Sequence, residues 1–349
     1  MPDPKRLDEK LARIRAGTAA RGDFILADAK DADMAFGVTA PGPRRSPPDS
    51  SRAAEGPWKT LEDYRQQIRD VVAQGIVDLV LLSASNLEQL AIRERRFDGS
   101  PVTPAARAND TTDIWVVRGG KYPTLPSRPF RTASIEHIKY GRLTADCTPP
   151  AIGADLGLYS ITFANDLDRD HRALEAFAAF RQEAEAKQFR YFLEVFNPNV
   201  DTGIPARDLG AFLNDHIVRL LAGVPTAGRP LFLKIPYNGP GPLEELVAYD
   251  PGLVVGILGG SAGTTFDAFQ LIHDAQQHGA RVALFGRKIN LSEHPLTFIA
   301  FLRRIVDGEI NPADAVRAYH AALQQLGIRP QRPLGEDLQP GTPDFHHRP

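Results

Sequence analysis

A lysine stands inside an apolar segment, Leu231-Phe232-Leu233-Lys234-Ile235-Pro236-Tyr237. A buried ammonium loses its hydration and is rarely left without a partner inside a protein. Burial favours the neutral amine, and a neutral amine can attack a carbonyl. The iminium that forms draws electrons from the neighbouring carbon, so a carbon–carbon bond there can break or form. The bland alternative is a strand-end lysine whose head reaches out to water. About a strand and a helix later comes Gly259-Gly260-Ser261-Ala262-Gly263, followed by a helical pattern from Thr265. Glycines let backbone N–H groups approach an anion, and a helix start adds the positive end of its dipole. The next apolar run ends in Phe285-Gly286-Arg287-Lys288, which brings another glycine N–H and a guanidinium to the same place. A Gly-Gly turn alone is more often structural. Paired with Gly-Arg at the next strand end it points to a phosphate, and the amine beside it to imine chemistry on a phosphorylated carbonyl compound.

Glu194, in Phe192-Leu193-Glu194-Val195-Phe196, is the one ionisable residue inside the preceding apolar run. It can move protons while Lys234 forms and releases an imine, or it can be the structural partner of a buried ion pair. The first run ends in Ala27-Asp28-Ala29-Lys30-Asp31-Ala32-Asp33. Asp28 closes the apolar stretch and is expected to point into the mouth of the site, with Lys30 beside it, whereas Asp31 and Asp33 read as solvated loop. Three aspartates could also coordinate a divalent cation, but no His-x-His or His–Glu spacing supports a metal site, and His171 falls on a polar helical stretch. After the third run, Arg107-Ala108-Asn109-Asp110-Thr111-Thr112-Asp113 offers donors and acceptors suited to sugar hydroxyls. Asn109 and Asp110 are the candidates there, although both residue types also simply build turns.

Eight short apolar runs alternate with helical patterns and must position these residues: 24–28, 77–83, 102–108, 156–163, 190–196, 231–236, 254–259 and 282–286. Such alternation signals parallel strands joined by crossover helices. Eight of them argue for an α/β protein of the (β/α)8 TIM-barrel type, although periodicity alone leaves an open doubly wound sheet possible. Helical spacing is clear at 168–187, 265–278, 296–306 and 312–325, the last opened by Asn311-Pro312. Two connections, 37–57 after the first strand and 109–150 after the third, are too long for simple loops. They are expected over the C-terminal mouth, where barrel active sites are built. Arg44, Arg45, Arg128 and Arg131 within them could hold a second anion or belong to a solvated surface. Residues 1–327 read as one barrel domain with a short N-terminal helix. Residues 328–349, rich in proline and charge, read as a tail, docked on a neighbouring subunit if at all.

At 349 residues, 42% hydrophobic and 24% charged, the chain has the composition of a soluble globular protein. A formal net charge of −2 gives no broad attraction to nucleic acid or anionic membrane. The one cysteine, Cys147, can form neither an internal disulfide nor a paired-cysteine metal site. The charged N-terminus lacks an apolar signal core, and no apolar run approaches the roughly twenty residues of a membrane span. A cytoplasmic protein is expected.

The motifs together resemble the class I, Schiff-base aldolase superfamily of deoxyribose-phosphate, tagatose-bisphosphate and archaeal-type fructose-bisphosphate aldolases. The likeness is best from Ala154 to Leu323 and runs more loosely back to Phe24. Lys234 falls where those enzymes hold the imine-forming lysine on strand six. Gly259-Gly260-Ser261 and Gly286-Arg287-Lys288-Ile289 match their phosphate loops, the last of which usually reads Gly-Arg-Asn. Ser292-Glu293-His294-Pro295 and the two closing helices also follow the pattern. Glu194 resembles the strand-five carboxylate of the tagatose-bisphosphate branch, and Asp28 falls at the strand-one aspartate. There are departures. Ala29-Lys30 follows Asp28 where the family has His-Gly or Gln-Arg, Thr162 replaces a tyrosine of the archaeal-type enzymes, and both long insertions are foreign to the pattern.

The resemblance implies an aldehyde-lyase acting on a phosphorylated ketose or deoxysugar, with no cofactor and no metal because the imine is the electron sink. Its partner would be the small phosphorylated sugar and further copies of the chain, as a homo-oligomer. The alternatives are a Schiff-base transaldolase or thiolase-like transferase, and a non-catalytic sugar-phosphate-binding protein.

Overall fold

In the computed structural model, residues 5–44, 57–147, 149–260 and 263–341 are described. Eight parallel strands follow one another around a closed barrel. They are β1 (Ile25–Lys30), β2 (Leu79–Leu82), β3 (Thr103–Arg107), β4 (Leu156–Thr162), β5 (Arg190–Phe196), β6 (Leu233–Ile235), β7 (Val255–Leu258) and β8 (Val282–Phe285). Seven lie within the expected apolar runs, and β1 extends two residues beyond its run, which was expected to end at Asp28. Closure is made by β1 and β8, with Ile25 opposite Val282, which excludes the open sheet.

Alternation with a period of two divides each strand between two cores. Ile25, Ala27, Leu79, Leu81, Leu156 and Phe192 fill the barrel interior. Leu26, Val80, Tyr159, Leu193, Val255 and Phe285 face outward beneath the helices. The amphipathic helix Arg6–Arg15 puts Leu7 and Leu11 against the interior cluster. Asp78 anchors it, accepting from Arg6 at 2.5 Å and Lys10 at 3.0 Å. This end is thereby plugged, and the opposite end, where strands finish and loops begin, is left for a site.

The short helix Ala32–Phe36, which follows β1, and the second long connection cover that end, while residues 45–56 of the first connection lie outside the described residues. The second carries a two-residue antiparallel ribbon, Asp110–Thr111 with Pro129–Phe130, and the helix Ile135–Tyr140. Trp115 stacks on Tyr122 with ring centroids 4.2 Å apart and tilts against Phe130. The Val116 amide donates to the Ala35 carbonyl at 2.9 Å and ties the second connection to the helix Ala32–Phe36. The C-terminal segment corrects an expectation. As far as residue 341 it lies on its own barrel, with a short helix Leu334–Asp337 docked beside the helix Thr265–Gln277. Among the described residues no helix is long and apolar enough to cross a membrane.

Candidate active site

Lys234 and Glu194 are direct partners in the β5–β6 register. Their side chains both point inward, and Nζ of Lys234 lies 2.5 Å from Oε1 of Glu194. The second carboxylate oxygen accepts from Oγ of Ser160 at 2.7 Å and from Arg107 at 3.5 Å. Arg107, at the end of β3, also donates to Asp31 at 2.5 Å and to Ser160 at 3.0 Å. Burial works against the Arg107 charge, but Asp31, Glu194 and Asp110 outweigh it and the net shift of its pKa is upward. Two cations and two carboxylates thus share the floor, with Lys234 and Glu194 only 6% and 1% exposed. Such a network is costly to leave half-made and holds its members in place.

Above the floor lies a cavity of about 330 Å³. Lys234, Glu194, Arg107 and Asp31 line it from below, Leu258, Gly259, Gly260, Gly286 and Arg287 from the β7–β8 side, Phe36 from the helix after β1, and Asp113, Ile114, Val116 and Pro123 from the second long connection. Gly259 cannot carry a side chain, because a Cβ there would sit 2.3 Å from the Phe285 ring. Gly260 has φ +57° and Gly263 φ +87°, backbone that glycine adopts without strain. A Cβ on Gly263 would also meet the Asp267 carboxylate at 1.8 Å. The Arg287 guanidinium lies 5.8 Å from the Phe36 ring centroid, and among the described residues no carboxylate comes within ion-pair distance of it. Burial lowers its pKa, against the pull of Glu194. An unneutralised guanidinium beside glycine backbone is a ready acceptor of an anion.

Of the residues expected from the sequence, Lys234, Glu194, Gly259, Gly260, Gly286 and Arg287 are brought together around this cavity. Ser261 lies outside the described residues. Four expectations are corrected. Asp28 shares the outward face of β1 with Leu26 and does not line the cavity. It pairs at 3.2 Å with Lys30 on the same face, and Lys30 is bonded in turn to Asn290. Burial raises the Asp28 pKa to about 6, against the pull of Lys30. Asn109 spends its amide clamping the Ser160 backbone, donating to its carbonyl at 2.9 Å and accepting from its N–H at 2.6 Å. Asp110 is buried and does not line the cavity, and burial raises its pKa to about 6 despite Arg107.

Asp31 is the carboxylate that faces the cavity from the end of β1. Three residues beyond Asp28, it falls on the opposite face, and it is buried, not solvated. Asp33 is half-buried and accepts from Ser83 at 2.7 Å and Asn86 at 3.1 Å. Arg107 and Asp113 were not singled out by sequence reasoning. The one available signal for Arg107 was a charge at the end of an apolar run, the same signal that marked Lys234 and Glu194.

The helix start after β7 also differs from expectation. Thr264 and Asp267 form a capping box there, and the Thr265 N–H donates to Asp337 of the C-terminal segment at 2.8 Å. Asp337 is held by His320 at 2.9 Å, and the Gly341 N–H reaches Asp267 at 3.0 Å. Lys288 turns away from the cavity to the carbonyls of Gly263 and Thr264, at 2.6 and 3.0 Å. Burial lowers its pKa to about 8. The described amides of this helix start are therefore already engaged, and Arg287 with Gly259, Gly260 and Gly286 is what lines the cavity on this side. Among the described residues no group of three or more His, Cys, Asp or Glu side chains converges as metal ligands would.

No known protein family and no curated protein matches the chain in sequence. Solved structures do match. An archaeal fructose 1,6-bisphosphate aldolase superposes with a TM-score of 0.58 at 19% identity, over 86% of this chain and 99% of that one. A Schiff-base-forming fructose-1,6-bisphosphate aldolase gives 0.58 at 18% identity, over 86% and 99% of the two chains. The fructose-bisphosphate aldolase of Slackia heliotrinireducens gives 0.60 at 14% identity, over 91% and 90%. The fold is the barrel of these aldolases. At such low identity the likeness concerns the backbone, and the chemistry rests on the side chains described above.

Proposed function

We propose that the chain is a class I aldolase that breaks or forms a carbon–carbon bond in a phosphorylated sugar through an imine on Lys234. The observation that carries this is the Lys234–Glu194 pair at 2.5 Å, on the floor of a cavity whose β7–β8 side holds the unneutralised Arg287. Glu194 is placed to take a proton from Lys234, freeing the amine to add to a ketose carbonyl. Loss of water then gives the iminium. A carboxylate, Glu194 or Asp31, takes the proton from the hydroxyl beyond the scissile bond, that bond breaks, and its electrons pass to the iminium to give an enamine and an aldehyde. Protonation at carbon and hydrolysis return the free amine. Arg107 fixes both carboxylates, and Arg287 with the Gly260 and Gly286 backbone fixes the phosphate, so the carbonyl is delivered in a set orientation. The chemistry requires no oxidant and no electron sink beyond the imine.

The test is borohydride trapping with a panel of sugar phosphates, with mass spectrometry locating the adduct. Lys234→Met keeps the volume and removes the nucleophile. The wild type should gain the substrate mass on the peptide containing Lys234 and the variant should not. A variant that still traps would refute the assignment.

A further inference from the structure

The cavity has two unlike ends. In the order of the barrel, β7 and β8 stand opposite β3 and β4, and Lys234 on β6 stands between them, next to β7. A ligand held by its phosphate at Arg287 and by its carbonyl at Lys234 must therefore point its remaining end at the β3–β4 wall. Most of that wall comes from the second long connection. It presents Ile114, Val116 and Pro123, together with the carboxylate of Asp113. Asp113 is fixed by two hydroxyl donors, Ser127 at 2.6 Å and Thr162 at 2.9 Å. Arg107, the cation that lines the cavity at the end of β3, is already committed to Asp31, Ser160 and Glu194.

The arginines that could have held a second anion are elsewhere. Arg131 donates to the Ala108 carbonyl at 3.2 Å and to Glu183 at 2.5 Å. Arg44 donates to the Trp58 carbonyl at 3.0 Å. Arg128 does not line the cavity, and Arg45 lies outside the described residues. Among the described residues, then, a second phosphate at the β3–β4 wall would meet apolar groups and a fixed carboxylate with no uncommitted cation to pair with it. A hydroxyl there would instead find an acceptor in Asp113.

We infer that the substrate of this site carries a single phosphate and that its end remote from the phosphate is uncharged. The inference rests on the aldolase proposal and separates this chain from the bisphosphate aldolases whose barrel it shares. The wall that carries the inference comes from the connection after β3, which presents Ile114, Val116 and Asp113 to the cavity.

The full-length protein should be trapped with borohydride in parallel on fructose 1-phosphate, fructose 6-phosphate, 2-deoxyribose 5-phosphate and fructose 1,6-bisphosphate. The quantity read is the second-order rate of adduct formation at Lys234. The best monophosphate should exceed the bisphosphate at least tenfold. Val116→Arg places a cation on the wall at a position already 40% exposed, and should raise the bisphosphate rate at least tenfold. Ile114→Lys serves the same measurement if that variant does not fold. A bisphosphate rate within tenfold of the best monophosphate overturns the inference and leaves the imine proposal standing. No adduct at Lys234 with any of the four overturns the imine proposal, and the inference falls with it. Folded wall variants that leave the bisphosphate rate unchanged count against the assigned role of the wall.

Discussion

Replacing Arg107 with Met should be among the most destabilising single changes in this protein, because it strands a buried carboxylate. The methionine keeps most of the aliphatic volume, so the loss is electrostatic. Three hydrogen bonds disappear, at 2.5 Å to Asp31, 3.0 Å to Ser160 and 3.5 Å to Glu194. Glu194 suffers least, since it keeps Lys234 at 2.5 Å and Ser160 at 2.7 Å. Asp31 is 7% exposed, and Arg107 is its ion-pair partner. Breaking a buried pair by removing one member costs about 3–5 kcal/mol, against about 1.5–3 kcal/mol for a single charged hydrogen bond. The expected loss for Arg107→Met is therefore about 3–5 kcal/mol, read by urea denaturation at pH 7. Adding Asp31→Asn removes the stranded charge, so the double variant should be about 1–3 kcal/mol more stable than the sum of the two single changes predicts. A loss below about 1 kcal/mol for Arg107→Met, or strict additivity, would refute the account of the floor as one coupled network.

Glu194→Gln should slow turnover about 10²–10⁴-fold while leaving Lys234 trappable by borohydride, and wild-type turnover would make Glu194 only a structural partner. Arg287→Ala should raise KM for a phosphorylated substrate by the equivalent of about 1.5–3 kcal/mol with kcat little changed, and an unchanged KM would move the phosphate elsewhere. For Asp28, burial raises the folded-state pKa from 3.8 to about 6. Its contribution to stability is therefore fully present below the ordinary value and is lost as pH rises through about 6. Asp28→Asn should flatten the stability profile between about pH 4 and 6 and leave turnover unchanged. A fall in turnover of the size expected for an acid–base group, about 10²-fold or more, would return Asp28 to the site.

The sequence by itself determined the number and order of the strands, since hydrophobic runs of strand length separated by helical periodicity are local signals. It also marked Lys234 and Glu194, each a single charge inside an apolar run, and consecutive strands of a barrel are neighbours, so the two lie on adjacent strands. The paired glycine turns, Gly259-Gly260 and Gly286-Arg287, were legible for the same reason. What only the tertiary structure decided was which face each charge takes and what meets it there. A side chain alternates faces with every residue, so deciding which residue at the end of β1 faces inward requires the register of its neighbours, and it is Asp31, not Asp28, that lines the cavity. Arg107 has partners on the β1 end, β4 and β5, which no window of sequence contains. Asp337 reaches the helix start at Thr265 across 72 residues, so the amide that looked open to phosphate is already taken. The wall opposite Arg287 comes from a connection without periodicity, whose path is set by Asp113 meeting Thr162 and Val116 meeting Ala35, both far away in the chain.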